Sequence, residues 1–155
     1  MHHTNKIFLF LIIFLISLLK ISYSDEIMIE SEELVITNEP LTTTFVGNVY
    51  AFDNEIKLWS DKILILYTET ERQIDQIKSF GNTKLVRENQ EIISENMTYF
   101  VIEKKIYAKG GIILTQDENV MKGSELSVDL VKSTSIMKSN ENNKVTVKIN
   151  NNEWK

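Results

Sequence analysis

Glycines and carboxylates recur at one spacing, and they are the residues of this chain that could do chemistry. Gly47 precedes Asp61, Gly81 precedes Glu95 and Gly110 precedes Ser124, by fourteen positions each time. The surrounding words match too. Val46-Gly47-Asn48-Val49 leads to Ser60-Asp61-Lys62-Ile63, and Phe80-Gly81-Asn82-Thr83 to Ser94-Glu95-Asn96-Met97. Lys109-Gly110-Gly111-Ile112 leads to Gly123-Ser124-Glu125-Leu126. Three chemistries use such groups. A carboxylate pair can hydrolyse a glycosidic bond unaided by other residue types. A glycine-rich turn can cradle a phosphate on its backbone N–H groups. An acid can also be scaffold, bonding backbone donors exposed where a strand bulges at glycine. All five glycines of the chain lie inside the phrase, as one repeated supersecondary unit would place them.

Composition decides among these. The chain has no cysteine, and its two histidines, His2 and His3, open the sequence. Beyond them no Ser-His-Asp or Cys-His nucleophile can be assembled, nor a zinc site of the usual ligands. No cofactor or metal is expected. Gly110-Gly111 stands alone before a strand-like run and makes no phosphate loop. The acids are spread like surface residues, so the paired-carboxylate enzyme has no particular pair to use. The phrase reads best as scaffold, with Gly47, Asp61, Gly81, Glu95, Gly110 and Ser124 as its structural positions, and the chain is expected not to be an enzyme.

The elements that carry the phrase are strands. Thr42 to Phe52 is rich in Thr, Val, Phe and Tyr, which favour strands. Ile56, Leu58 and then Ile63, Ile65, Tyr67 alternate on either side of Ser60-Asp61, and Leu126, Val128 and Leu130 alternate in the third copy. Turn signals at Asn38-Glu39-Pro40, Asp53-Asn54, Thr68 to Arg72, Glu88-Asn89-Gln90, Glu103-Lys104-Lys105 and Gln116 to Asn119 punctuate them every eight to twelve residues. No amphipathic helix is visible. The expected class is all-β: consecutive antiparallel strands in a stacked meander or a β-jelly roll with an open apolar interior. Ser31-Glu32-Glu33-Leu34 looks like a fragment of the same phrase. Alternate side chains of such strands line a long apolar trough, for which Ile56, Leu58, Ile65, Tyr67, Tyr99, Ile113 and Val128 are candidates. The interruption at Ser60-Asp61 leaves open which face Ile63 to Tyr67 presents.

The chain divides into three parts. Lys6, the apolar run Ile7 to Leu19 and the small residues around Ser22-Tyr23-Ser24 have the layout of a signal peptide, residues 1–24. The run is shorter than the ~20 residues of a membrane span, although Lys20 could snorkel and keep it as an anchor. Residues 25–138 form the β domain, and residues 139–155 a polar linker with a possible C-terminal edge strand at Val145 to Ile149. Cleavage after Ser24 removes two lysines and no acids, taking the net charge from −5 to −7. An acidic exported domain has no basic surface for nucleic acid.

Phe45-Val46-Gly47-Asn48-Val49 followed by Ile56-Lys57-Leu58-Trp59-Ser60-Asp61-Lys62-Ile63 resembles the opening repeat of the LptA/OstA-like family of periplasmic lipopolysaccharide-transport proteins. Ser79-Phe80-Gly81-Asn82 and Met121-Lys122-Gly123-Ser124-Glu125-Leu126 resemble its later repeats, and the likeness runs from about Ile27 to Met137. The family's Ala before Asp is Ser60 here, and Ser124 and Gly111 replace its acid and Asn. The resemblance implies a β-jelly roll open at both ends, in the periplasm of a Gram-negative bacterium. It implies a non-enzymatic role in outer-membrane assembly, with lipopolysaccharide acyl chains carried on the inner apolar face. Ile56 and Leu58 match the first lipid-contact region and Val128 the second; Ile65 and Tyr67 join them as lipid-binding candidates from the alternation of their strand. It further implies LptC-like and LptD-like partners joined by edge-strand pairing, and head-to-tail self-association. An LptC-like subunit held by an uncleaved N-terminal anchor, a filled structural β-solenoid and an exported carbohydrate-active enzyme are the alternative readings.

Overall fold

A computed structural model describes residues 27–149; the expected signal peptide and cleavage site lie outside the described residues. Every regular element among those residues is a strand: β1 (Met28–Glu30), β2 (Glu33–Asn38), β3 (Leu41–Phe52), β4 (Ile56–Tyr67), β5 (Ile74–Arg87), β6 (Gln90–Phe100), β7 (Lys105–Gln116), β8 (Asn119–Asp129), β9 (Thr134–Lys138) and β10 (Thr146–Lys148). They make one antiparallel sheet in chain order from β3 to β8. β1 and β2 both pair with β3, so they are two halves of one edge strand, broken at Ser31-Glu32. β9 and β10 both pair with β8 and form the opposite edge in the same way.

The turns follow their residues. Asp53 Oδ1 accepts the N–H groups of Glu55 and Ile56, both at 2.7 Å, and closes the β3–β4 hairpin. Asp129 Oδ1 does the same for Val131 and Lys132 after β8. Glu88 and Asp117 take positive φ in the two-residue turns after β5 and β7.

Ser60-Asp61 does not separate two strands, as the alternation on either side suggested. β4 runs unbroken through it, and so do β6 and β8 through the later copies. What occurs there is a bulge. Between β3 and β4 the register passes from Val46↔Lys62 to Val49↔Ser60, so Gly47 and Asn48 together face Asp61. Gly81-Asn82 likewise faces Glu95, and Gly110-Gly111 faces Ser124. All six residues of these pairs have positive φ, from 45° at Asn48 to 86° at Gly110. That backbone suits Gly and tolerates Asn.

The extra residue also resolves the face of β4. Ile56, Leu58 and Ser60 point to one side; Asp61 and Lys62 are both exposed; Ile63, Ile65 and Tyr67 then return to the first side. Because the bulges line up across the sheet, they divide every long strand into two arms. Each apolar cluster draws on both arms. Val49, Ile63 and Ile65 pack with Leu58 and Ala51 from one arm and Phe45, Tyr67 and Ile77 from the other. Ile92, Met97, Ala108, Ile112 and Leu126 gather Leu85 and Leu114 with Ile106, Val128 and Met137. A single-layer sheet can bury Ala108 and Leu126 to 0% and 1% exposure only by folding across this line. The fold is therefore all-β and jelly-roll-like, an open sheet bent along its bulges.

Candidate functional site

The acids of the phrase lie outside this fold line and hold it. Each does so through the glycine of the next strand, rather than the one fourteen residues before it. Asn82 Nδ2 donates to Asp61 Oδ2 at 2.8 Å, and the Asp61 carboxylate occupies the space a Cβ at Gly81 would need. Glu32 stands in the same relation to Gly47 and accepts from the Asn48 side chain. Glu95 packs on Gly110. Ser31-Glu32 is thus the first copy of the phrase, as its wording suggested. The expected bond from acid to backbone N–H is replaced by one to the Asn side chain at two of the three bulges. Ser124, in the last copy, has no Gly-Asn bulge beyond it, and its hydroxyl accepts the backbone N–H of Asn140 at 3.2 Å instead.

On the inner side the registers compose continuous cross-strand rows. One runs Ile29–Ala51–Leu58–Leu85–Ile92–Leu114–Met121–Val147, apolar in all eight strand positions. On the other arm Leu34–Phe45–Ile63–Ser79–Met97–Ala108–Leu126–Met137 has one polar member, and Ile36–Thr43–Ile65–Ile77–Tyr99–Ile106–Val128–Ser135 has two small ones. Seven steps of about 4.8 Å make a lining on the order of 34 Å long. Its two arms converge on the fold line and diverge toward the hairpins.

The candidate residues take different stations on this surface. Leu58 is in the wholly apolar row, and Ile65 and Val128 share a row on the opposite arm. Ile56 sits one step out, in a row that continues through Arg87, Gln90, Gln116 and Asn119, so it marks a polar rim. Tyr67 lies at the far rim, its hydroxyl 3.1 Å from Thr43 Oγ1. Tyr99 faces inward as expected. Ile113 does not. Its neighbours Ile112 and Leu114 pack in the core, and it faces Ile93 and Lys122 on the outer surface.

A feature that apolar counting passed over is the polar band at the fold line. Ser60, Ser79, Thr83 and Ser94 are buried there, at 5% exposure or less. Ser60 Oγ lies 3.0 Å from the carbonyls of Lys62 and Phe80, and Thr83 Oγ1 donates to Ser79 Oγ at 3.1 Å. Small hydroxyl side chains let the arms approach at the bend; those of Ser60 and Ser79 donate to carbonyls beside the bulges, Thr83 bonds to Ser79, and Ser94 Oγ is buried with no hydrogen-bond partner among the described residues. Their sequence signal was the Ser preceding Asp61 and Glu95.

Large apolar side chains are exposed at both ends of the sheet. Leu34 and Ile36 are 54% and 60% exposed on β2; Ile136 and Val147 are 53% and 51% exposed on β9 and β10. Among the described residues the inner rows therefore end in unpaired strand edges rather than in caps.

Among the described residues the chain is thus an open, bent antiparallel sheet with an apolar inner face and two unpaired edges. Residues 28–134 match the family model described as LptA/(LptD N-terminal domain) LPS transport protein, and the chain belongs to that family. Among solved structures it is similar to LptH from Pseudomonas aeruginosa, the LptA-homologous periplasmic component of that organism's lipopolysaccharide transport device. The TM-score is 0.71 at 11% identity, covering 82% of this chain and 96% of that one. No curated protein matches the sequence significantly.

Proposed function

We propose that this protein is a non-enzymatic component of a periplasmic bridge that carries lipopolysaccharide from the inner to the outer membrane. The observation that carries the proposal is the row from Ile29 to Val147, apolar in every strand and open at both ends. An acyl chain laid along it loses contact with water over its whole length, at about 0.8 kcal/mol for each methylene buried. A row crossing the strands has no closed end, so the chain can slide from one protein to the next without re-entering water. Sugars and phosphates remain beyond the rims, where Ile56 meets Arg87 and Gln90. In this reading Leu58 touches the acyl chains from one arm, Ile65 and Val128 from the other, and Ile56 and Tyr67 flank the mouths. The free edges receive LptC-like and LptD-like partners by strand pairing.

Leu58→Asn places an amide in the apolar row without disturbing a fully buried position. It weakens lipopolysaccharide binding by about tenfold, the equivalent of roughly two lost methylenes, while the circular dichroism spectrum stays that of the wild type. Trp59→Asn, one residue along and on the outer face, leaves binding unchanged. Equal losses at the two positions, or none at either, would refute the assignment of the inner face.

A further inference from the structure

The trough has two lips, and their chemistry differs. On the first arm the inner side ends, beyond the apolar rows, in the row Arg87–Gln90–Gln116–Asn119. Gln90 and Gln116 are exposed, and neighbours in the row stand about 4.8 Å apart. The turns beside them, residues 53–55, 88–89 and 117–118, hold five acids and neither Lys nor Arg. This lip is built in advance. Asp117 N–H donates to the Asn89 carbonyl at 3.1 Å, and the Asn89 side chain donates to the Asp117 carboxylate. The two turns are thereby tied together, with Gln90 and Gln116 held side by side between them.

On the second arm the balance is reversed. Residues 101–104 and 130–133, the turns at the far ends of β6, β7 and β8, carry Ile102, Leu130 and Val131 at 60%, 42% and 71% exposure. Lys104 and Lys132 stand among them, and the one acid, Glu103, is paired with Lys105 at 3.0 Å. Leu130 N–H donates to the Lys104 carbonyl at 3.0 Å, so the two turns form one surface. Both lips are made by the same strands, β6 to β8, and face each other across the same part of the trough.

We infer that the mouth orients the lipid across the trough. Its outer sugars lie on the first-arm lip, bound by the amides of Gln90, Gln116 and Asn119, and its phosphorylated root faces the second-arm lip. The inference deepens the bridge reading and rests on it; that reading leaves sugars and phosphates beyond the rims without choosing a side. A primary amide both donates and accepts, as a sugar hydroxyl does, so a row of amides matches a row of hydroxyls. The acids of the first-arm turns also accept from hydroxyls, but they repel phosphate. Lys104 and Lys132 attract phosphate, and Ile102, Leu130 and Val131 offer apolar surface to the carbon chains at their root. The reverse orientation would set phosphates against carboxylates and sugars against bare apolar side chains.

The test compares two probes on the exported chain: lipopolysaccharide with its outer sugars, and the same lipid hydrolysed to its phosphorylated, acylated root. The unsubstituted chain binds the sugar-bearing lipid about fivefold more tightly. Gln90→Ala combined with Gln116→Ala abolishes that preference while binding of the root lipid stays the same, which also reports an intact fold. Lys104→Gln combined with Lys132→Gln weakens binding of both lipids alike, by about fivefold. A glutamine variant that keeps the preference, or that loses affinity for both lipids equally, overturns the inference. So does a lysine variant that leaves binding of the root lipid unchanged. Equal binding of the two lipids by the unsubstituted chain overturns the inference and leaves the bridge reading standing, whereas binding of neither refutes the bridge reading itself.

Discussion

Leu126→Ala lowers the stability of the domain by about 3 kcal/mol, within the range for a buried leucine truncated beside side chains that relax only partly. Leu126 is 1% exposed and central to the cluster of Ile92, Met97, Ala108 and Ile112. Cβ positions in β8 are fixed on both sides, by Ala108 in β7 and Met137 in β9. Among the described residues no second layer of helices can settle into the void; only the opposite arm of the same sheet faces it. Chemical denaturation of the two proteins measures the difference, and a change below about 1 kcal/mol would mean that the arms do not close over this residue.

The second large effect lies at the bulges, and there it should differ between copies. A Cβ at Gly110 would fall 2.6 Å from Glu95 Cβ, an atom that cannot swing away. Gly110 also has φ of 86°. Gly110→Ala therefore costs about 3 kcal/mol, combining left-handed backbone strain with displacement of β6, and Glu95→Ala does not relieve it. At Gly81 the worst overlap is with the Asp61 carboxylate, at the end of its side chain, while Asp61 Cβ is 3.2 Å away. Gly81→Ala costs about 2 kcal/mol, and Asp61→Ala in the same chain returns part of it. Gly111 has open space around its Cβ position and φ of 60°. Gly111→Asn, which restores the residue type found at Asn48 and Asn82, is neutral within about 0.5 kcal/mol. Thermal unfolding of the five variants ranks them, and equal costs at Gly110 and Gly111 would contradict the bulge geometry.

How much of this was legible in the sequence depends on how far apart the interacting parts lie. The turns were local, and Asp53, Glu88 and Asp117 announced them. The glycine spacing was regular because each hairpin has nearly the same length, so the repeat and the all-β class could be read by counting. The partner of each acid could not. Asp61 faces Gly47-Asn48 in register yet packs on Gly81, and only the pairing of β4 with β5 brings that glycine beside it. Side-chain direction was hidden for a related reason. A bulge adds one residue to a period of two, so the strand's inner face passes from even to odd positions at Asp61-Lys62. In the run Ile112-Ile113-Leu114 all three residues are apolar and alternation is silent; the bulge at Gly110-Gly111 puts Ile113 outside. The polar band of Ser60, Thr83 and Ser94 looked like surface because hydroxyl residues usually are, and the bend that buries them is a property of the whole sheet.

The central claim is that lipopolysaccharide travels along the inner rows. A photo-crosslinking amino acid placed in living cells at Leu58, Leu85 and Leu114, and at Trp59 and Ile113 on the outer face, reads it most directly. The account predicts lipopolysaccharide adducts at all three inner positions and at neither outer one. Adducts at Trp59 and Ile113 with none at Leu58, Leu85 and Leu114 would contradict it.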